Sequence, residues 1–347
     1  MESKRKMGET KILATMGPTL QTVEQVEEMI KRGVKQFRIH MGLRTRDFVG
    51  YYRKALNGAE KMNEKIEVLL DLPSSRPRID GMDEYTYTVN EYAYIYDRDE
   101  QVENINNYVN IPLPVFKNMI SGIKAGDKVI FRDGHVVFIV ESICENSILA
   151  KCVKADKWVK TGSSSCFPDS DIVFSPIDEI DIEYLRKMKD EGMCPDKVAI
   201  SFASNKEQIE MVRKELFKIW DNNKIKIICK IESKLGLRNI DELLDNSDGI
   251  MIARGDLLLC IAPYKLPKIQ MELANICKSK KKILIIATEF FERYAESGIV
   301  NRAELSDVAL AVRQNADSIM LARETGNSCY AYGCVEIINQ IIESENK

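Results

Sequence analysis

The feature that most constrains this chain is a rhythm. Short apolar runs recur eight times, at 11–17, 35–42, 66–73, 197–204, 225–233, 248–256, 282–290 and 317–325. Between them lie segments with helical spacing of apolar residues, such as 22–33, 205–220, 267–280 and 303–315, and 333–345 follows the last run. Strand–helix alternation builds a parallel sheet. Eight strands, each followed by a helix, favour a closed sheet over an open one. The expected fold is therefore α/β, a (β/α)8 TIM barrel.

The rhythm breaks once, between about 79 and 177. There the stretch 126–160 alternates apolar and polar residues, with a turn at Asp133-Gly134 and another near Glu145-Asn146. That is the pattern of β-hairpins. The expected organisation is a barrel of 1–78 and 178–347 carrying a small inserted β-barrel lid at 79–177. The third barrel helix is expected at 178–192, directly after the lid.

Composition narrows the function classes. A net charge of −3 gives no basic excess for nucleic acid. No apolar run reaches the ~18–20 residues of a membrane span, and no apolar stretch follows the charged start. Nine scattered cysteines, with no Cys-x-x-Cys, read as reduced, mostly buried thiols rather than a disulfide framework or zinc site. A cytoplasmic protein is expected. With only His40 and His135, a histidine-rich metal site or a Ser-His-Asp triad has little material.

In barrels of this kind chemistry sits at the carboxyl ends of the strands. Those ends carry Thr15, Arg38, Asp71, Ser201, Lys230 with Glu232, Arg254 with Asp256, Thr288, and Arg323 with Glu324. In "KIICKIES" (226–233), strand periodicity puts Lys226, Ile228, Lys230 and Glu232 on one face and Ile227, Cys229 and Ile231 on the other. Any one of these charges, taken alone, reads as a solvated strand end or a structural ion pair. Converging on one mouth, two carboxylates, a lysine and an arginine suit a divalent cation and an anionic substrate. In "ARGD" (253–256) a glycine after a strand lets backbone N–H groups approach a carboxylate or phosphate.

These stretches resemble the pyruvate kinase family. The matching segments are "KIES", "DGIMIARGDL", "ATEF", "RAELSDVALAV" and "ADSIMLARET", in family order, with the family-like opening "TKILATMGPTLQTVEQVEEMIKRGVKQFRIHMG" and the lid-like "GDKVIFRDG". The resemblance implies a phosphoenolpyruvate/pyruvate-binding barrel in which Glu232 and Asp256 hold Mg²⁺ or Mn²⁺. It implies that Lys230 neutralises the transferring phosphoryl group and that Arg38 grips the phosphate, with Arg78 also on the nucleotide/phosphate side. It further implies that Thr288 and the backbone around Ala253, Gly255 and Asp256 bind the substrate carboxylate, with Thr288 near the proton delivered to the enolate. Phosphoryl transfer is mostly positioning plus charge neutralisation, which suits these residue types.

The sequence also departs from the family pattern. It stops where relatives continue into a regulatory domain, so the expectation is an absent C-terminal domain and a monomer or homodimer. Two usual potassium ligands are replaced by His40 and Gly42. The family's "DxxGPEIR" reads "DLPSSRPR" here, which puts Arg76 in place of a glutamate. A guanidinium directed at Asp71 would stand in for the monovalent cation, and no K⁺ requirement is expected; the alternative is an Arg76 that is merely exposed. On the nucleotide side a family histidine becomes Leu43, a lid lysine becomes Ser163, and "GDLGIE" becomes "GDLLLC".

Three functions remain in view. The first is a glycolytic, pyruvate kinase-like phosphotransferase acting on phosphoenolpyruvate/pyruvate with Mg²⁺ and ADP/ATP, without potassium. The second is an enzyme on the same barrel with a different phosphoryl acceptor or a different reaction of an enolate-forming substrate, as in a lyase, decarboxylase or mutase. The third is a non-catalytic binding paralogue. A metal-binding carboxylate pair, costly to leave unpaired in a pocket, weighs against the third.

Overall fold

The computed structural model describes residues 10–42, 47–99, 108–221 and 224–347. The chain opens with β1 (Lys11–Thr15), α1 (Val23–Lys31), β2 (Gln36–His40), α2 (Phe48–Lys61) and β3 (Glu67–Leu72). Six strands follow: β4 (Tyr92–Asp97), β5 (Ile111–Leu113), β6 (Lys128–Phe131), β7 (Val136–Ile143), β8 (Ser147–Ala155) and β9 (Ser165–Cys166). The alternation then resumes with α3 (Glu179–Asp190), β10 (Lys197–Ile200), α4 (Lys206–Trp220), β11 (Lys226–Ile231), α5 (Lys234–Arg238), α6 (Ile240–Asn246) and β12 (Gly249–Ala253). It ends with α7 (Arg254–Cys260), α8 (Leu266–Ser279), β13 (Ile283–Ala287), α9 (Glu292–Ser297), α10 (Arg302–Arg313), β14 (Ser318–Leu321), α11 (Arg323–Gly326) and α12 (Ala331–Glu345).

Local chemistry starts several of these helices. Thr22 accepts from the Gln25 amide and Gln25 reaches back to the Thr22 amide, a reciprocal cap for α1; Asn205 and Gln208 repeat it at α4. The eight strands β1, β2, β3 and β10 to β14 pair in parallel and close on themselves, Lys11 lying opposite Ser318. The insertion leaves the ladder intact, since Leu69–Leu72 of β3 pairs with Lys197–Ile200 of β10.

Two layers of apolar side chains fix the register. Leu13, Leu69, Ile228, Met251, Ile285 and Met320 form the inner cluster, while Ile227, Cys229 and Ile231 face the helices. Each such burial contributes roughly 1.5–3 kcal/mol. A slip of one residue in β11 would turn Lys230 and Glu232 outward among the helices, so the same packing that holds the strand aims its charged end into the mouth.

The second sheet runs β5-β4-β8-β7-β6-β9, antiparallel except for β4 with β5. It curls around its own core, which includes Tyr87, Phe116, Phe131 and Phe138, and Phe202 from the end of β10 joins that core. The hairpins expected in 126–160 are β6–β7 and β7–β8. Where the chain leaves and returns, the Ser75 amide donates to the Ser175 carbonyl and the Ser175 amide to Ser75 Oγ, both at 2.8 Å.

Several strands end sooner than their apolar runs. β12 stops at Ala253 and β14 at Leu321, so Arg254, Asp256, Arg323 and Glu324 belong to the short helices α7 and α11. β13 stops at Ala287, where Thr288 and Glu289 both adopt positive φ, 73° and 58°, and turn the chain away from the barrel axis. Among the described residues no helix is long and apolar enough to cross a membrane.

Candidate active site

The carboxyl ends of the barrel strands and the underside of the lid enclose a cleft of about 1070 Å³. Arg38, Lys230, Glu232, Ala253, Gly255, Asp256 and Thr288 line its floor, and Arg76, Arg78, Thr161 and Gly162 line the lid side. The residues to which the resemblance assigns a substrate, metal or phosphate role therefore border one space together with Arg76, and Asp71 lies just beneath it.

Asp71, fully buried, organises the floor. Arg38 Nε donates to Asp71 Oδ2 at 2.7 Å, and Lys230 Nζ lies 3.2 Å from Asp71 Oδ1. Lys230 also lies 3.0 Å from Glu232 Oε1 and donates to Ser201 Oγ at 2.8 Å. Arg38 Nη1 reaches Thr15 Oγ1 at 3.1 Å. Burial works against the Asp71 carboxylate, but the charges of Lys230 and Arg38 outweigh it and hold the carboxyl below its ordinary range. Lys230 is shifted the other way, above its ordinary value: burial disfavours its charge, but Asp71 and Glu232 outweigh it. Its three donors are thus placed by three acceptors, which points the ammonium into the mouth.

Glu232 sits one residue beyond β11 and is 1 % exposed. The Phe202 amide donates to its Oε2 at 2.7 Å. Burial, with the nearby Asp256, pushes the Glu232 carboxyl above its ordinary value despite Lys230. The pair Glu232 and Asp256 thus carries negative charge that a bound cation would relieve. Among the described residues no three His, Cys, Asp or Glu side chains gather as a metal cluster. The protein donors here number two hard carboxylates, a set that suits Mg²⁺ or Mn²⁺ completed by water and substrate oxygens.

The reading of Arg76 as the partner of Asp71 is corrected. Arg76 Nη1 donates to Asp256 Oδ1 at 2.7 Å, and its guanidinium lies 4.6 Å from the centre of the Phe202 ring. Asp71 has no need of Arg76, because Arg38 on the adjacent β2 and Lys230 on β11, one strand further round than β10, already neutralise it. Arg76 leaves β3 through Ser74, whose φ of 59° swings the chain across the mouth toward α7. Nor is Arg76 an exposed surface residue: its side chain is 13 % exposed. Burial opposes its charge, and Asp256 more than compensates, raising it above the ordinary arginine value. Asp256 in turn is pulled below the carboxylate range, Arg76 and Lys230 overcoming burial.

Thr288 Oγ1 accepts from the Gly255 amide at 3.0 Å, which pins it to the first turn of α7 and leaves the hydroxyl hydrogen for a ligand. Arg78 donates to the Gly162 carbonyl at 3.1 Å and bridges to Ser164, so it belongs to the lid side. Three strand-end charges do not face the cleft. Arg254 turns outward to Asp307 at 2.6 Å and stacks on Phe290, and Arg323 is exposed beside Glu292 and Glu296. Glu324 is buried and accepts from the amides of Phe290 and Ala322.

His40 is held neutral. Burial, then the charge of Arg38, lowers its pKa to about 3, and its Nδ1 is enclosed without a hydrogen-bond partner among the described residues. Gly42 makes room for it, since a Cβ there would lie 2.7 Å from the imidazole. Ser163 accepts from the Lys160 amide at 3.1 Å within a lid turn. Leu43 lies outside the described residues.

Sequence reasoning missed Phe202. Its amide holds Glu232, its ring carries Arg76, and it joins the lid core. Its φ of 51° is what aims the amide inward, and no residue pattern signals that.

A family model described as pyruvate kinase, barrel domain, matches residues 7–335. The chain is 29 % identical over 339 residues to a pyruvate kinase of Thermococcus litoralis, covering 96 % of this chain and 69 % of that protein. It is 26 % identical over 346 residues to a pyruvate kinase of Thermotoga maritima, covering 98 % and 72 %. For a pyruvate kinase of Staphylococcus saprophyticus the identity is 26 % over 344 residues, covering 97 % and 57 %. The crystal structure of a pyruvate kinase from Cryptosporidium parvum shares the fold, with a TM-score of 0.88 over 98 % of this chain and 69 % of that one, at 24 % identity.

Proposed function

The chain belongs to the pyruvate kinase family, and we propose that it transfers a phosphoryl group between phosphoenolpyruvate/pyruvate and a nucleotide of the ADP/ATP type, with Mg²⁺ or Mn²⁺ and without potassium. The observation that carries this reading is the placement of Lys230. Its ammonium is fixed between Asp71 and Glu232 at the mouth, beside the second carboxylate, Asp256. A cation so buried and so pre-oriented stabilises charge developing on a phosphoryl group without reorganising during the reaction.

Glu232 and Asp256 would hold the divalent ion, which when bound supplies Lewis-acid polarisation of the enolate oxygen and neutralises phosphate charge. Arg38, braced by Asp71 and Thr15, offers its remaining donors to phosphate oxygens. Arg78 adds positive charge from the lid side. Thr288, held by the Gly255 amide, orients the substrate carboxylate with its free hydroxyl hydrogen and stands near the carbon that takes up a proton. Potassium has no evident place: Asp71 is already paired with Arg38 and Lys230, and neither His40 nor Gly42 brings an oxygen ligand on its side chain.

A second reading, a different phosphoryl acceptor or a different enolate reaction, is favoured by one observation. Ser163 stands where a phosphate-binding lysine is expected and is folded into its own turn. A lactate-dehydrogenase-coupled assay with phosphoenolpyruvate, Mg²⁺ and each nucleoside diphosphate, with potassium or choline, decides. Pyruvate formation with a diphosphate supports the first reading. Magnesium-dependent phosphoenolpyruvate binding with no pyruvate from any diphosphate overturns it in favour of the second.

A further inference from the structure

Two cysteines outside the proposed chemistry meet across the seam between lid and barrel. Cys166 ends β9 of the lid, where it pairs with Ile130 of β6. Cys260 ends α7, the helix that carries Asp256. Their Sγ atoms are 3.9 Å apart, and each residue is 5 % exposed. With Ile130, Val137 and Leu259 they form a small apolar cluster separate from both main cores. Cys260 Sγ also donates to the Glu232 carbonyl at 3.3 Å, so the pair adjoins the carboxylate wall.

We propose that Cys166 and Cys260 are a redox modification site, forming a reversible disulfide with a peroxide as oxidant and thereby fastening the lid to the barrel mouth. A disulfide needs its sulfurs to close from 3.9 Å to about 2.05 Å, a movement of about 2 Å. The chemistry balances with one peroxide. A thiolate attacks a peroxide oxygen; an S–O bond forms, the O–O bond breaks, and hydroxide leaves as water after taking a proton. The second thiolate then attacks the sulfenic sulfur; the S–S bond forms, the S–O bond breaks, and a second water leaves. Two thiols are oxidised by two electrons in all, and the peroxide is reduced to two waters.

The seam also sets the order of events. The hydrogen bond with Cys260, and then burial, push the Cys166 thiol well above its ordinary pKa. Cys144, Cys194 and Cys329 are exposed, so peroxide consumes them first and the buried pair later. The cross-link thus responds to sustained rather than brief oxidation. It ties α7 to β9, and with them the two walls of the cleft.

The test uses the full-length protein with its exposed thiols first blocked by iodoacetamide, then treated with hydrogen peroxide and mapped by mass spectrometry. The expected product is one cross-linked peptide pair joining Cys166 to Cys260, two hydrogens lighter than the free peptides and reversed by dithiothreitol. The oxidised protein should melt about 3 °C or more above the reduced one, because the bond closes a long loop. Cys166→Ala and Cys260→Ala should each abolish both changes. Free thiols or uncross-linked sulfinic acids at both positions after prolonged oxidation overturn the proposal, as does the same melting shift in either variant. Cross-linking should also lower turnover by about tenfold or more, with recovery in dithiothreitol, if the lid must move during the cycle; this readout alone rests on the phosphotransferase reading. A cross-link in a protein whose reduced form gives no pyruvate sinks that reading and leaves this one standing, whereas turnover without a cross-link does the reverse.

Discussion

One wall of the cleft, built by β11, β12 with α7, and β13, keeps the residues of the family pattern: Lys230, Glu232, Asp256 and Thr288. The facing wall, where β3 runs into the lid, carries the stretch read in sequence as departing from that pattern, Ser74, Ser75, Arg76 and Pro77, beside His40 and Gly42. On the first wall the side chains stand on or just past barrel strands whose register the ladder fixes. On the second, the segment after Leu72 leaves the barrel ladder, and isolated contacts hold its backbone to the lid, among them the Ser75 amide to the Ser175 carbonyl and Ser165 Oγ to the Pro77 carbonyl. A segment with few backbone obligations tolerates changes of residue type that a barrel strand does not. The two walls are nevertheless not independent. Arg76 crosses the mouth to grip Asp256, so the rewritten wall supplies the counter-charge of a carboxylate on the retained one. A departure that reads in sequence as bearing on Asp71 bears, in space, on Asp256.

The comparison breaks first at Lys230. Lys230→Met is expected to lower turnover by about 10³-fold in the coupled assay, because a pre-oriented charge beside the phosphoryl group is lost. A variant retaining a tenth of wild-type turnover would remove Lys230 from the chemistry.

Next is the stability of the floor. Asp71→Asn leaves Arg38 and Lys230 short of a buried partner and is expected to cost about 3 kcal/mol in urea unfolding at neutral pH. Because the folded pKa of Asp71 is lowered, its contribution is complete above the unfolded value of about 3.9 and fades as pH falls toward the folded one. The gap between wild type and variant should therefore narrow below about pH 4. A gap that stays constant on acidification would show that the carboxylate charge is not what stabilises the floor.

The link between the walls has a sign. Glu232→Gln with Asp256→Asn should abolish calorimetric Mn²⁺ binding, whereas Arg76→Met should tighten it by about tenfold by removing a competing charge from Asp256. Weaker binding in Arg76→Met would mean that the arginine helps to assemble the site instead of competing for it.

The smallest effect is expected from potassium. Turnover should agree within about twofold between potassium and choline, since Arg38, Lys230 and Arg76 supply permanent positive charge around Asp71 and Asp256. A severalfold rise with potassium would restore a monovalent site to which the side chains of His40 and Gly42 bring no oxygen ligand.

The barrel was legible because eight apolar runs spaced by amphipathic helices admit few alternatives. That Lys230 and Glu232 share a face with Ile228 followed from strand alternation, since the period is two; that this face is the barrel interior is what the packing decides. The lid hairpins at Asp133-Gly134 and Glu145-Asn146 were legible for the same local reason. What the alternation could not convey was where a strand stops. Arg254, Arg323 and Glu324 read as strand-end charges, yet they start helices and turn away, because the chain bends at Ala253 and Ala322 for reasons of packing rather than composition.

By itself, then, the sequence determined the barrel, the inserted lid and the residues that can meet at the mouth, because periodic burial dictates which side chains share a face. Only the tertiary structure decided who pairs with whom. Arg76 lies five residues from Asp71 yet contacts Asp256, far along the chain, because the positive φ of Ser74 redirects the backbone after β3 while Arg38 from β2 and Lys230 from β11 reach Asp71. Phe202 serves both walls through one positive φ, and Cys166 meets Cys260 only because the lid folds back onto α7. Charge and thiol pairing depend on distances of a few ångströms between segments remote in sequence, and those distances are set by how the layers pack.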